Sequence, residues 1–206
     1  MNFHEAELGA HLSGIDTVVL DVGNVLFRFD TDHIREKFLS SENRKALGDS
    51  MFISDHEWCW GQFDTGLWDD ELVAKNIANH AGVPHAWEEV LASYEHFHED
   101  RVMLPLAYDI PLMKEMGLKV LGLTNYGKTG FDRVSKKFDF FALMDGIVVS
   151  GREKVVKPES GIYECLENRY GITPAHTLFI DDNADNIAAA KKRGWQTWHY
   201  LNGLNT

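Results

Sequence analysis

Short, dense apolar runs separated by helical patterns are the main feature of the sequence. Thr17–Leu20 is such a run, and it ends at Asp21. A run in which apolar residues do not alternate with polar ones is typical of a parallel strand that is covered on both faces. Four further runs of this kind follow along the chain: Lys119–Leu123, Gly146–Val149, Thr177–Ile180 and Gln196–His199. The pattern therefore predicts a sheet of parallel strands.

Helical patterns lie between these strands. The pattern from Leu106 to Met116 is followed by Gly117, a residue that commonly stops a helix. Two further helical patterns cover Glu159–Tyr170 and Ala184–Arg193. Because strands alternate with helices, we predict an α/β fold: a Rossmann-like, doubly wound core in which helices cover both faces of a parallel sheet.

The stretch from residue 31 to residue 100 has a different character. It contains no clear strand, and apolar residues such as Leu72, Val73 and Ile77 recur at helical spacing. Gly66 and the sequence Gly82-Val83-Pro84 punctuate it. We predict about four helices in this stretch, inserted after the first strand. The α/β core would then comprise residues 1–30 and 101–206.

Polar residues follow four of the predicted strands. In open α/β sheets, ligands bind outside the carboxyl ends of the strands, and parallel strands bring those ends to one edge. Lys157 lies in the loop after the third strand and can reach the same edge. The polar strand ends are Asp21, Thr124-Asn125, Ser150-Gly151 and Asp181-Asp182.

This set of side chains suits phosphoryl transfer to a carboxylate. Asp21 could attack phosphorus and form an aspartyl-phosphate, but two anions repel each other. A magnesium ion held by Asp21 and Asp182 would offset that repulsion, since Mg²⁺ prefers carboxylates, carbonyls and waters. Thr124 and Asn125 would donate hydrogen bonds to the phosphoryl oxygens, and Lys157 would supply further positive charge.

The charge of the chain limits its partners. The formal net charge is −12, which disfavours nucleic acids and anionic membranes as partners. It also repels a free phosphate ester, so a phosphate site needs local positive charge from a metal, a lysine or backbone N–H groups. We expect a small phosphorylated metabolite as the partner, and the protein as a monomer or homodimer.

The sequence also predicts a cytoplasmic protein. Cys59 and Cys165 lie far apart and form no CxxC, as is usual in a reducing compartment. Residues 1–14 have no apolar core of signal-peptide length. No apolar run approaches the roughly 20 residues that a membrane-spanning helix needs.

Four stretches together resemble the ordered motifs of the haloacid dehalogenase superfamily. The resemblance covers essentially the whole chain, and residues 31–100 correspond to the helical cap that the family inserts after its first motif. The first and fourth stretches carry most of the specificity. The stretches are Asp21-Val22-Gly23-Asn24-Val25, Leu123-Thr124-Asn125, Val156-Lys157-Pro158-Glu159 and Phe179-Ile180-Asp181-Asp182-Asn183-Ala184-Asp185-Asn186.

The resemblance implies a metal site. It implies that Asp21 is both the nucleophile and a ligand of Mg²⁺. Asp182 would be a further ligand, with Asp181 in support. The backbone carbonyl of Gly23 would complete the protein ligands.

The resemblance also implies a phosphate site. Thr124, Asn125 and Lys157 would bind the phosphoryl oxygens, and Lys157 would act with Asp21 in catalysis. Asn24 is placed with them as a substrate-binding residue.

Gly23 departs from the phosphatase pattern of the family. Most of its phosphatases carry an aspartate two residues after the nucleophile, which acts as general acid and base. Its dehalogenases lack that aspartate as well, but they need no metal and have little reason to keep both Asp181 and Asp182. We therefore favour a phosphatase. The alternatives are a carbon–halogen hydrolase and a catalytically weak member that binds a metabolite.

The first and fourth motifs are similar to those of a subgroup that includes α-D-glucose-1-phosphate phosphatase-like enzymes. A missing acid matters least for a good leaving group, and an anomeric hydroxyl leaves better than a plain alcohol. A sugar 1-phosphate is therefore the expected type of substrate. A cap residue or a water is the alternative source of the proton.

Several polar and aromatic residues of the cap have open roles. The aromatic residues pack in the cap core, or one or two of them face the site together with Gln62 or Asp64. His96 and His98 favour a contact between cap and core over a second metal site, because that spacing does not share a helix face. The aromatic residues are Trp58, Trp60, Phe63 and Trp68.

Residues near the strand ends leave similar alternatives. Arg28 and Arg152 either touch substrate or lie at the surface. Asp185 and Asn186 either assist the metal and its loop or cap the helix that begins at Ala184.

Overall fold

The computed structural model describes residues 8–48, 59–96 and 102–201. Within these residues, five parallel strands form one sheet in the spatial order β3-β2-β1-β4-β5. This arrangement confirms the predicted Rossmann-like α/β fold, and the strand bounds agree with prediction to within one residue. The strands are β1 (Thr17–Leu20), β2 (Lys119–Thr124), β3 (Gly146–Val149), β4 (Thr177–Asp181) and β5 (Gln196–His199).

The sheet is covered on both faces, which explains its continuous apolar runs. In β1, Val18 and Leu20 face one apolar cluster while Val19 faces the other. β1 lies between β2 and β4, and Leu20 pairs with both Gly122 and Ile180. The carboxyl ends of these three strands therefore lie side by side.

Helices surround the sheet and fill the segment between β1 and β2. Shorter helical turns lie at residues 8–11, Pro84–Ala86, Asp139–Leu143 and Pro174–His176. No helix among the described residues is both long and apolar enough to cross a membrane. The helices of the described segments are α1 (Thr31–Phe38), α2 (Ser41–Leu47), α3 (Cys59–Asp64), α4 (Asp70–His80), α5 (Trp87–His96), α6 (Pro105–Glu115), α7 (Lys128–Lys137), α8 (Ser150–Glu153), α9 (Ser160–Tyr170) and α10 (Ala184–Lys192).

Local signals set the helix ends. The side chains of Asp30, Ser40 and Asp69 accept hydrogen bonds from the first turns of α1, α2 and α4. These contacts satisfy backbone N–H groups that have no partner within the helix. Gly117 and Gly171 adopt positive φ angles of 79° and 59° just after α6 and α9, as the glycine stop signals predict.

The inserted helices have an apolar core of their own. Phe63, Val73, Ile77, Val90 and Tyr94 are buried together, apart from the two clusters that cover the sheet. In the described residues the segment contains five α-helices, where about four were predicted. The boundaries at 31 and 100 stay a prediction, and residue 100 lies outside the described residues.

The two connections between the core and the inserted helices run side by side. The N–H of Arg28 donates to the carbonyl of Val102 at 2.9 Å, and that of Leu104 donates to Leu26 at 2.9 Å. An antiparallel bridge joins Phe27 to Met103 between these bonds. The chain therefore leaves the core and returns to it at adjacent positions.

Candidate active site

A cavity of about 220 Å³ lies at the carboxyl ends of the strands, under the inserted helices. Asp21, Thr124, Asn125, Lys157 and Asp182 line its floor. The strand ends therefore bring together the side chains that the sequence analysis places in one site. Their individual roles stay a prediction.

The turn after β1 is built to hold Asp21. The Asp21 N–H donates to the carbonyl of Ile180 at 3.0 Å, which continues the β1–β4 ladder by one residue. Asn24 then takes a left-handed conformation with φ of 55°, which asparagine tolerates better than most residues. Its N–H donates to the carbonyl of Phe27 at 2.8 Å and closes the turn. The nucleophile predicted from sequence thus stands on a fixed backbone.

Lys157 is a buried cation between two carboxylates. Its ammonium lies 2.8 Å from Oδ1 of Asp21 and 2.7 Å from Oδ2 of Asp181. Burial alone would lower the pKa of Lys157, but Asp181 and Asp21 outweigh that effect and raise it. Lys157 therefore keeps its proton and supplies fixed positive charge inside the site.

Asp181 is the most extensively hydrogen-bonded carboxylate of the site. Besides Lys157, the N–H of Asn183 donates to its Oδ1 at 2.7 Å, and the Asn186 amide lies 3.1 Å from both of its oxygens. Asn183 in turn caps α10 by accepting from the N–H groups of Asp185 and Asn186. Asp181 is fully buried, and these contacts hold its side chain in one orientation.

Asp182 faces the cavity beside Asp181. The Asn24 amide donates to its Oδ2 at 3.0 Å, and the ring of His199 lies 2.8 Å from its backbone carbonyl. Burial raises the pKa of Asp182, and the charge of Asp181 adds to this effect. Asn24 also accepts a hydrogen bond from the N–H of Phe29 at 2.9 Å, so its amide is largely engaged by the protein.

Asn125 holds the loop that carries Lys157. Its side-chain N–H donates to the carbonyl of Lys157 at 2.9 Å, and its side-chain oxygen accepts from the Lys157 N–H at 2.8 Å. This reciprocal pair fixes the backbone of Lys157 next to β2. The sequence predicted Asn125 as a phosphate ligand and gave no signal for this positioning role.

The floor of the cavity has an excess of negative charge that suits a divalent cation. One carboxylate oxygen from each of Asp21, Asp181 and Asp182 can be chosen so that all three lie within 4.8 Å of one another. Burial raises the pKa of Asp21, as do Asp181 and Asp182, while Lys157 opposes the increase. Clustered oxygen ligands of this kind are the type that Mg²⁺ takes.

The inserted helices also contribute a wall to the cavity. Phe63 and Asp64, at the end of α3, line it together with Phe27, Phe29 and Tyr126. Burial raises the pKa of Asp64 to about 7; the charge of Lys157 opposes this and that of Asp21 adds to it. The sequence named Phe63 and Asp64 among residues that could face the site, and in the structure both of them do.

A set of close contacts, here termed the cap–core latch, joins Asp64 and Gly66 to Ser150, Gly151 and Lys154. The hydroxyl of Ser150 donates to the carbonyl of Asp64 at 2.6 Å, and the ammonium of Lys154 donates to the carbonyl of Gly66. Gly66 has a φ of +62°, and a Cβ at this position would overlap the carbonyl of Gly151. The latch therefore depends on two backbones that approach each other without side chains.

Other predicted candidates lie away from the cavity. Arg152 pairs with Asp132 at 2.6 Å and lies over the ring of Phe131, which is a surface role. His96 stacks on Phe38 with ring centroids 6.2 Å apart. His98 and Trp58 lie outside the described residues.

Three further candidates lie in the apolar core of the inserted helices or at the start of α10. Trp68 packs against the apolar cluster of the inserted helices. Asp185 is exposed in the first turn of α10, which agrees with the second of its two alternatives, a position at the helix start, although Asn183 is the capping residue. Asn186 lines the cavity and donates to Asp181, so it supports the site.

Comparison with known proteins points to one family. The model of the haloacid dehalogenase-like hydrolases matches residues 15–194. A sesquiterpene phosphatase of Aspergillus oryzae is 25% identical over 191 residues, covering 91% of this chain and 91% of its own. A D-ribitol-5-phosphate phosphatase of Bacteroides thetaiotaomicron is 23% identical over 200 residues, covering 93% and 94%.

A longer relative contains a region similar to this chain. A drimenol cyclase of Aspergillus calidoustus is 27% identical over 188 residues, which cover 89% of this chain and 33% of the cyclase. This chain thus spans a third of that relative's length.

Solved structures share the fold. A haloacid dehalogenase family enzyme of Bacteroides thetaiotaomicron, in complex with magnesium and inorganic phosphate, superposes with a TM-score of 0.72 at 21% identity, covering 89% of this chain and 93% of that chain. The L-2-haloacid dehalogenase of Xanthobacter autotrophicus, with chloropropionic acid covalently bound, gives 0.63 at 18% identity, covering 89% and 76%. The same fold thus occurs in an enzyme that binds magnesium and phosphate and in a haloacid dehalogenase.

Proposed function

The chain belongs to the haloacid dehalogenase-like hydrolases, and on that premise we propose that it is a Mg²⁺-dependent phosphatase of a small phosphate monoester. The membership confirms the superfamily predicted from the four motifs. The reaction class is argued from the site.

The observation that carries the proposal is the charge of the cavity floor. Asp21, Asp181 and Asp182 lie together, and Lys157, which pairs with Asp21 and Asp181, is the one cation that lines the cavity among the described residues. The floor therefore has a net negative charge. An anionic ester cannot approach Asp21 there unless a cation is present. A carbon–halogen hydrolase that needs no metal gains nothing from such a cluster.

The residues present suit a Mg²⁺ site. Asp21 and Asp182 would hold the ion through their carboxylates, Gly23 would do so through its backbone carbonyl, and Asp181 would support them. When bound, the ion neutralises charge on the phosphoryl group and its nucleophile. Magnesium is present in a solved structure that shares this fold, which supports the same choice here.

The chain's own residues would then perform the reaction in two steps. An Oδ atom of Asp21 attacks phosphorus in line with the leaving oxygen, and an aspartyl-phosphate forms as the ester bond breaks. Lys157 and the hydroxyl of Thr124 bind the phosphoryl oxygens. A water then attacks phosphorus, breaks its bond to Asp21 and releases inorganic phosphate.

The size of the cavity supports a small ester. At about 220 Å³ it lies below the roughly 300–1,000 Å³ typical of sites for drug-sized ligands. Phe27, Phe29, Phe63 and Tyr126 give it aromatic walls. These features favour a sugar phosphate, such as a sugar 1-phosphate whose hydroxyl leaves readily. They do not favour a phosphate ester of a long isoprenoid chain, the type of substrate that the name of the sesquiterpene phosphatase suggests.

A panel of phosphate esters tests the proposal. We expect the wild-type protein with Mg²⁺ to release phosphate from p-nitrophenyl phosphate and from at least one sugar phosphate. Chelation of the metal should abolish turnover, and so should Asp21→Asn, which keeps the shape of the side chain and removes the nucleophile. Asp32→Asn, at an exposed aspartate of α1, is the matched control and should retain full activity.

Two results would contradict the proposal. Halide release from a 2-haloacid that persists with chelator present would identify a dehalogenase. A protein that binds phosphate esters without turning them over would be a metabolite-binding member.

A further inference from the structure

We propose that Asp64, a residue of the inserted helices, is the general acid and base that the core lacks at Gly23. The inference rests on the proposed phosphatase function and adds a catalytic residue to it. The family's usual position for this group is Gly23, which has no side chain. An alkoxide that leaves without a proton is a poor leaving group, so an ordinary ester needs the acid from elsewhere.

Few titratable side chains in the described residues face the cavity. Asp21 is the nucleophile, Lys157 is held by two carboxylates and keeps its proton, and Asp182 lies at the predicted metal position next to Asn24. Asp64 is the remaining carboxyl of the cavity lining. Within the part of the chain that the structure describes, its carboxyl forms no ion pair and no hydrogen bond, so it is available to a substrate.

The position of Asp64 suits an acid for the leaving group. Asp21 stands at the end of β1, on the floor, whereas Asp64 comes from α3 and lines the wall that the inserted helices supply. In an in-line displacement the leaving oxygen points away from the attacking atom. An ester that binds with phosphorus over Asp21 and its leaving group toward α3 would bring the leaving oxygen to the Asp64 carboxyl.

The cap–core latch fixes the backbone that carries Asp64. Ser150 binds the carbonyl of Asp64 itself, and Lys154 binds the carbonyl two residues later, at Gly66. On the other side of Asp64, the ring of Phe63 packs so closely on Gly127 that a Cβ there would overlap it. A general acid must lie within hydrogen-bond distance of the atom that it protonates. These contacts fix the position of the backbone from which the Asp64 side chain extends.

The environment of Asp64 matches the task. Burial raises its pKa to about 7, so a large fraction of the carboxyl is protonated near neutral pH. The charged groups that line the cavity with it are Asp21, Asp182 and Lys157. Asp21 raises the pKa further, and Lys157 lowers it.

The proton transfers balance over the full reaction. As Asp21 attacks phosphorus and the ester P–O bond breaks, the leaving oxygen takes the proton of the Asp64 carboxyl and departs as an alcohol. The Asp64 carboxylate then takes a proton from a water, whose oxygen attacks phosphorus. The bond to Asp21 breaks, phosphate leaves, and both carboxyl groups return to their starting states.

The test compares two leaving groups in one variant. With Mg²⁺ present, Asp64→Asn should lower kcat/KM, which reports the steps up to departure of the leaving group, roughly 10²- to 10⁴-fold on the alkyl phosphate that the wild type cleaves fastest. On p-nitrophenyl phosphate the fall in kcat/KM should be no more than about 10-fold, because p-nitrophenolate leaves without a proton. We expect kcat/KM of the wild type on the alkyl ester to decline above about pH 7, and this decline should disappear in the variant. Asp32→Asn is the control and should change neither rate.

A second variant places the acid at position 23 instead of position 64. It distinguishes a loss of the proton donor from a loss of folded protein. A Cβ at Gly23 meets no atom within 4 Å, so a side chain can begin there without a clash, and Gly23→Asp is the variant of choice. Combined with Asp64→Asn, it should restore at least 10-fold of the lost rate on the alkyl ester. The melting temperature of no variant should fall more than a few degrees below that of the wild type, which excludes unfolding as the cause of a lost rate.

The other possible results overturn either the role of Asp64 or the phosphatase proposal. Equal losses of kcat/KM on both esters, or no loss of kcat/KM on the alkyl ester, overturn the role of Asp64. Wild-type turnover of p-nitrophenyl phosphate without any alkyl phosphate also overturns it, while the phosphatase proposal stands. No turnover of either ester, with metal present, overturns the phosphatase proposal itself.

Discussion

The two walls of the cavity are built in different ways. On the sheet side, Asp21, Lys157 and Asp181 form one buried network in which each charged group has a partner. On the side of the inserted helices, Phe63 and Asp64 come from the end of one short helix, and the latch holds them through backbone contacts. The sheet side is held by paired charges, whereas the other side is held by hydrogen bonds to its backbone and by close packing of two backbones.

Removing the Lys157 ammonium should cause the largest loss of stability, because it breaks the charge network of the sheet side. Lys157→Met leaves Asp21 and Asp181 buried without their cation, and the loss of one partner from a buried ion pair costs about 3–5 kcal/mol. We expect the free energy of unfolding, measured in urea with chelator present, to fall by that amount. Lys75→Met, which breaks an exposed pair with Glu71, should change it by at most about 1 kcal/mol. A similar small change for both variants would show that the network is not what holds the sheet side.

Adding one methyl group at Gly66 should have the next largest effect. Gly66→Ala forces a left-handed conformation on alanine, which costs about 1–2 kcal/mol, and overpacking against Gly151 adds about 1–3 kcal/mol. Gly82→Ala is the matched control, because Gly82 has a φ of +75° with open space around it and should show the conformational cost alone. The difference between the two variants in chemical denaturation measures the close approach at the latch. Equal costs would argue against a shape-dependent wall.

The smallest expected effect is a gain of stability at Asp64. Burial raises the pKa of this carboxyl from 3.8 to about 7, so the folded protein resists its ionisation. The folded state therefore loses stability as pH rises from about 4 toward 7, and Asp64→Asn avoids that loss. With chelator present, we expect the variant to be more stable than the wild type by about 1–2 kcal/mol at pH 8, with a smaller difference at pH 5. If the difference in the free energy of unfolding between the variant and the wild type does not grow with pH, the Asp64 carboxyl is more exposed to solvent than proposed.

The sheet side was readable from the sequence because its signals are local. Thr17–Leu20 and Thr177–Asp181 are continuous apolar runs that end in acidic residues, and the pairing of β1 with both β2 and β4 then gathers those ends. The hydrogen-bond partners of the site residues were harder to predict than the places of those residues along the chain. Asn125 follows β2 as expected, but its amide binds the backbone of Lys157, a contact that spans 32 residues and leaves no local pattern.

The wall formed by the inserted helices was only partly readable. Helical spacing predicts that the segment is helical, but it does not show which aromatic residue faces the cavity. Phe63 lines the site while Trp68 packs in the cap core. That choice depends on how Gly66 meets Gly151 across 85 residues of chain, and neither glycine has a sequence neighbour that signals the contact. Docking geometry of this kind is set by tertiary packing.

The paired connections at Leu26–Arg28 and Val102–Leu104 have a consequence for how this architecture can change over time. Because the two backbones are hydrogen-bonded to each other at the edge of the core, the ends of the inserted segment are already held together. Loop-closure entropy grows only slowly with length, so a longer, shorter or altogether different insertion imposes little strain on the sheet. The core can thus keep its site at the strand ends while insertions are exchanged above it, and each exchange would change which molecules reach that site.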